Sequence, residues 1–145
     1  MTHLSFARDL LATFCGLQGA ATLAIDLNRT HATNPSWPAH ARFHVVWQST
    51  STAMLALLEV VLVLIRGPFE AHRFYLAAVL AGIPMMGFML ALIGRKAYRG
   101  ALWDPDGILP IRVRVLRRDV QIDLNLAVVI LGMFSLAAII AIYVY

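Results

Sequence analysis

Charge is scarce in this chain. Asp, Glu, Lys and Arg make up 14% of its 145 residues, against a hydrophobic share of 60%. A water-soluble domain of this size carries about a quarter charged residues and about 45–50% apolar ones, so an ordinary soluble globule is excluded. Acids are scarcer than bases, eight against twelve. Cysteine is reduced to Cys15, within an apolar stretch. That excludes an intramolecular disulfide and leaves the side chain the role of a small buried hydrophobe. A Walker loop, a Rossmann glycine fingerprint, HExxH, GxSxG and CxxC are all missing. Their absence removes the common nucleotide, zinc-protease, hydrolase and thiol-redox chemistries.

Long apolar runs are what the chain has in abundance, and the mean hydropathy is +0.73. They cover about residues 5–25, 43–65, 74–94 and 124–145. At 1.5 Å per residue, about 20 residues cross a hydrocarbon core of about 30 Å. The pattern predicts an all-α integral membrane protein, an antiparallel bundle of four transmembrane helices forming a single membrane domain over 1–145. The first run reaches full length only if residues 4–7 are included. A cleaved signal peptide explains it less well, because Arg8 is followed at once by Asp9 and Thr22-Leu23-Ala24 makes a poor cleavage site.

The basic residues are unevenly distributed. Arg95, Lys96, Arg99, Arg112, Arg114, Arg117 and Arg118 lie in the third connection and Arg29 and Arg42 in the first, nine of the twelve. The positive-inside rule places connections 26–42 and 95–123 in the cytoplasm. Both termini and the Arg66–Arg73 turn then face the other side of the inner (plasma) membrane. Topology and attraction to anionic headgroups account for the cluster, and the arginines of 112–118 suit phospholipid headgroups or an anionic substrate head. No aromatic stacking platform accompanies them, so nucleic acid is excluded as a partner. Asn28-Arg29-Thr30 matches a glycosylation acceptor, which a cytoplasmic loop does not use.

The first connection gathers chemistry. Asp26, Asn28, His31, Asn34, Trp37, His40, Arg42 and His44 fall in one short stretch, with three of the five histidines. Pro35 and Pro38 stiffen it, and a helix starting near Ser36 would place His40 and His44 four residues apart on one face. Continued at helical period, that stripe includes Gln48, Ser51, Thr52, Leu55 and Glu59. Cys15, Gln18, Thr22 and Asp26 form a matching stripe on the first helix. Polar stripes in lipid turn toward the bundle interior, and packing hydrogen bonds explain much of Gln18, Ser51 and Thr52. Glu59, an acid deep in a span, stands either for proton or substrate handling or for a structural hydrogen bond.

Three hypotheses fit the histidines. His31, His40 and His44, with Asp26, would ligate Zn or Fe through imidazole and carboxylate. The same groups would form a metal-free acid–base set, or they would be satisfied by the loop backbone. In the third connection, Asp104-Pro105-Asp106-Gly107 is a turn signal, with Trp103 beside it and either acid within topological reach of the histidines. Ile111 to Val115 alternates with period two, as an extended interfacial segment does. Gly82, Pro84 and Gly87 with Met85, Met86 and Met89 predict an adaptable wall in the third span.

The expected function is binding, or acting on, a lipophilic small molecule or lipid. Asp26, His31, His40, His44 and Glu59 would do the chemistry. Asn28, Asn34, Trp37, Arg42, Gln48, Trp103 and Asp104 would line the site. The alternatives are a non-catalytic membrane subunit or assembly factor whose His-rich loop docks a partner protein, and a proton-coupled homodimeric transporter.

Overall fold

The computed structural model describes residues 2–145, apart from the side chain of Val115. It contains four helices, α1 (His3–Asp26), α2 (Ala39–Leu64), α3 (Glu70–Gly94) and α4 (Leu124–Val144). Between α3 and α4 lies an antiparallel hairpin of β1 (Ile111–Val115) and β2 (Arg118–Ile122). The period-two alternation at 111–115 therefore does form a strand, and this hairpin is the one sheet among the described residues; the side chain of Val115 lies outside the described set.

The helices close into a ring in which α1 packs on α2 and α4, and α3 packs on the same two. Contact registers give their directions. A Cβ on Gly19 would lie 2.7 Å from the Cβ of Ala56, while Arg8 of α1 reaches the carbonyl of Val63, so α1 and α2 are antiparallel. Phe74 stacks on Tyr143 with ring centroids 3.7 Å apart, and a Cβ on Gly132 would meet the Met85 sulfur, so α3 and α4 are antiparallel too. Helix α3 runs unbroken through Pro84, and Met85 fills the gap above Gly132.

Helices α2, α3 and α4 are each long and apolar enough to cross a membrane. Helix α1 matches their length at 24 residues but carries Arg8, Asp9, Gln18 and Asp26, and it does not reach the same apolarity. Residue sizes are distributed inside out. The centre is built largely from small side chains, Ala7, Cys15, Gly19, Ala56, Ala77, Ala78 and Ala81. Leu17, Met54, Leu57, Val79, Ile83, Leu90, Leu131 and Phe134 lie outside and are more than half exposed. Small residues at the seams let helix backbones approach closely, which drives association in lipid. The bulky apolar exterior is what a hydrocarbon solvent accepts and water does not.

Rotation of α2 differs from the expected polar stripe. Its buried residues are Ser49, Ala56, Glu59 and Val63, whereas His40, His44, Gln48 and Ser51 are exposed. The Gly19–Ala56 contact is the physical reason, because it turns the small-residue face of α2 toward α1. Exposed Thr50 satisfies its hydroxyl locally by donating to Val46 O at 2.7 Å, and half-buried Thr52 does so by donating to Gln48 O at 2.9 Å. The start of α2 also differs. Asn34 Oδ1 accepts from Ser36 N at 3.0 Å, which keeps Ser36 in the loop and leaves Pro38 at the N-cap position.

At the Arg66–Arg73 end, Arg8 closes the terminus of α2. It is buried, donates from Nε to Val63 O at 3.2 Å and from Nη2 to Ile65 O at 3.2 Å, and pairs with Glu70. Helix C-terminal carbonyls need outside donors, and a cation there also suits the helix dipole. Glu70 sits in the first turn of α3, where an anion is favoured, and its Oε1 accepts from Gly67 N at 3.0 Å. Arg73 adds a donation to Pro68 O at 2.7 Å.

Two outcomes are expected from these contacts. Gly19→Ala forces α1 away from the Ala56 methyl, which cannot rotate aside, and should cost about 1–3 kcal/mol. Gly132→Ala should cost far less, since the opposing atom is the mobile end of Met85; melting temperatures in mild detergent check the contrast. The Gly67 amide, followed by Arg8, holds the Glu70 carboxyl below its ordinary value of 4.5. A depressed carboxyl contributes stability above its ordinary value and loses it as pH falls through the lower folded value. Unfolding temperatures measured from neutral pH downward should therefore drop below about 4.5, and Glu70→Gln should reduce the drop.

Candidate functional site

At the opposite end of the ring the first and third connections meet over the start of α4. The first connection folds on local side-chain bonds. Asn28 Oδ1 accepts from Thr30 N at 2.8 Å, the turn that Asn favours. Thr30 Oγ1 lies 2.8 Å from His31 Nδ1, and Trp37 meets the His31 ring edge to face at a centroid distance of 5.3 Å. Ala32 N donates to Asp26 O at 2.9 Å and folds the connection back on the end of α1.

Asn34 clasps the two connections. It is 1% exposed. Its Nδ2 donates to Thr30 O at 3.2 Å and to Asp106 O at 3.1 Å, and its Oδ1 takes the Ser36 amide. Both amide protons and the oxygen are thus used, as a buried amide requires. In the third connection the expected turn is present, with Asp104 Oδ1 accepting from Asp106 N at 2.9 Å and Asp104 O from Gly107 N at 3.0 Å. Asn125, one residue into α4, donates to Leu102 O at 3.4 Å. Asp123 caps α4 by accepting from Leu126 N at 2.9 Å.

The clasp leaves an open cleft of about 380 Å³. His31, Trp37, Trp103 and Asp104 line it, together with Arg99, Leu102, Ile108 and Asn125. Two indoles and two aliphatic side chains give apolar walls, and an imidazole, a carboxylate, a guanidinium and an amide give the polar groups. Asp26 lies half-buried at the end of α1 nearby. Partial burial raises its carboxyl above the usual range, and the neighbouring His31 pulls the other way.

The site residues expected from sequence divide into separate places. His31, Trp37, Trp103 and Asp104 share the cleft, while Asn34 and Asn28 hold its frame. His40 and His44 sit on the exposed face of α2, their Nε2 atoms 3.0 Å apart. They pair with each other and not with His31, and no three His, Cys, Asp or Glu side chains converge on a metal position among the described residues. The three-histidine centre expected for Zn or Fe is therefore not assembled. Gln48 is exposed and Arg42 half-buried on α2. Glu59 is 1% exposed and lies 20 residues beyond the first residue of α2, about 30 Å along the helix. It faces Cys15 in the helix core and does not line the cleft.

Arg99 and Asn125 belong to the cleft and were not singled out by sequence. Arg99 is indistinguishable from the other basic residues of its loop, whereas an Asn at the second position of a very apolar helix was a usable signal. No protein-family model, curated protein or solved structure matches the chain.

Replacing Asn34 tests the clasp. Asn34→Ala leaves the Asp106 and Thr30 carbonyls without this donor and should cost about 1–3 kcal/mol. Asn34→Asp points an anion at the same carbonyls and should cost more. Thermal melts give the ranking, and faster amide exchange at 30–37 and 104–107 should accompany both variants.

Proposed function

We propose that this chain is a small integral membrane protein whose interfacial cleft binds an amphipathic molecule with an acidic or hydrogen-bond-accepting head. The observation that carries the proposal is the cleft itself. Its volume falls within the range of small-molecule sites, and its mixture of apolar walls and a few convergent polar groups is the usual one. Arg99 and Asn125 supply donors for the head, and Trp37, Trp103, Leu102 and Ile108 receive the apolar part. His31 is the group placed to act as acid or base toward a bound head, and Asp26 and Asp104 are the acids beside it.

In this proposal all four helices cross the bilayer of the plasma membrane. The outward residues of α1, Leu4, Phe6, Leu17 and Ile25, are exposed and apolar like those of its neighbours. Asp9 is exposed near its start, while Arg8 and Gln18 turn inward, where Arg8 is satisfied by α2 and Gln18 Nε2 donates to Ala81 O at 3.2 Å. The basic connections 26–42 and 95–123 then face the cytoplasm by the positive-inside rule, and the termini face the other side.

A second hypothesis draws support from the exposed stripe of His40, Phe43, His44 and Trp47 at the start of α2, in which neighbouring rings contact one another. There the same end docks a membrane partner and the cleft is a by-product of loop packing.

One titration separates the two. Protein carrying Trp47→Phe, so that only Trp37 and Trp103 fluoresce, is reconstituted in phosphatidylcholine nanodiscs and titrated with a brominated fatty acid, which quenches indole on contact. Saturable quenching is expected, with affinity lowered about tenfold or more by Arg99→Ala, the effect of losing one charged hydrogen bond. Linear quenching that Arg99→Ala and His31→Ala leave unchanged would mean simple partitioning into the bilayer and would overturn the proposal.

A further inference from the structure

The β1–β2 hairpin is absorbed neither by the helix ring nor by the cleft. It packs on itself and does not rest on any of the four helices to the extent that they rest on one another. Its register pairs Ile111 with Ile122 and Val113 with Val120, which puts these four on one face, and each is more than a third exposed. Arg112, Arg114, Asp119 and Gln121 alternate onto the other face. By the same period Arg118 falls on the apolar face, next to the tip. The tip is Leu116-Arg117, both residues in the left-handed region at φ 48° and 65°, and Leu116 is 94% exposed. A two-residue turn of this twist suits a tight hairpin but favours Gly or Asn. A leucine held there, fully outside, has no role within the fold.

Charge narrows what can cover this face. Arg114 pairs with Asp119 at 3.2 Å, while Arg112, Arg117 and Arg118 have no carboxylate partner among the described residues. Only Asp123 separates β2 from α4, a helix apolar enough to span the membrane. The hairpin is thereby tethered at the level where that span leaves the hydrocarbon. A face that mixes aliphatic side chains with cations, held at that depth, matches the boundary between acyl chains and anionic phosphates.

We propose that the hairpin is a lipid-binding foot. It lies on the anionic headgroups around the helices, with Ile111, Val113, Val120 and Ile122 toward the bilayer, Leu116 inserted at the tip, and Arg117 and Arg118 on phosphates. Arg112 and Arg114 add to the positive potential within a Debye length, about 8 Å at physiological salt. This is independent of whatever occupies the cleft and requires only that α4 is in the membrane.

The test uses the full chain with Cys15→Ser and Leu116→Cys, the new thiol carrying a bimane fluorophore, in nanodiscs of phosphatidylcholine or of phosphatidylcholine mixed with phosphatidylglycerol. Quenching by an acyl-chain nitroxide lipid reports insertion of the tip, and iodide reports exposure to water. Phosphatidylglycerol should raise lipid quenching and lower iodide quenching, and salt near 1 M, with a Debye length of about 3 Å, should reverse both. Arg117→Gln and Arg118→Gln should each weaken insertion about fivefold. Because the salt response needs no further substitution, a folding defect in the arginine variants cannot mask the result. Lipid quenching equal in the two kinds of disc and insensitive to salt would overturn the proposal. So would shielding from both quenchers, which would place a protein on this face.

Discussion

The approach of α1 to α2 at Gly19 and Ala56 determines what the remaining residues of both helices face. Two helix backbones come close only where both carry almost no side chain, and in lipid that close approach supplies much of the attraction between them. Once Gly19 is set on Ala56, the 3.6-residue period fixes the rest of the seam. Leu11 and Cys15 turn inward on α1, and Glu59 and Val63 on α2. The same rotation carries His40 and His44 outward. The separation of these histidines from His31 thus follows from the rotation of α2 and not from any preference of imidazole.

Each end of the ring meets the same requirement, that helix termini and connections find partners for their backbone groups. At one end a cation does this, as Arg8 gathers the last carbonyls of α2 and is balanced by Glu70. At the other end a neutral amide does it, as Asn34 ties together two connections that are distant in sequence. The difference has a structural consequence. The Arg8 end is closed tightly around one ion pair, in which the arginine is buried and the glutamate reaches the surface. The Asn34 end spans two longer connections, and these leave space between them lined by Trp37, Trp103, His31 and Arg99. A cleft forms where a clasp joins loops at one point and does not pack them throughout.

Much of the helical layout could be read from residue order alone. The start of α4 at Leu124 coincides with the predicted boundary, and the turn at Asp104–Gly107 and the strand at Ile111–Val115 lie where proline, glycine and period-two alternation indicated. Such features depend on neighbours a few residues apart, so local chemistry decides them. The candidate site was legible only in part. His31, Trp37, Trp103 and Asp104 line one cleft, but residue order groups them with His40, His44 and Glu59, which the helices carry elsewhere. A polar stripe on one helix defines a face without saying which neighbour that face meets. Glu59 illustrates this, since it shares a stripe with His44 yet lies deep in the helix core against Cys15.

The sequence by itself determined that this chain belongs in a membrane, since the free energy of placing long apolar runs in water or lipid depends on composition and run length. It also determined the connections in which polar chemistry collects, because charge is so scarce that its clustering is visible without coordinates. Tertiary structure alone decided which members of that cluster meet. That outcome rests on a glycine–alanine contact fixing the rotation of α2, and on one asparagine finding a carbonyl 72 positions along the chain. Neither is a property of a local segment, since both depend on which surfaces come together when the ring closes.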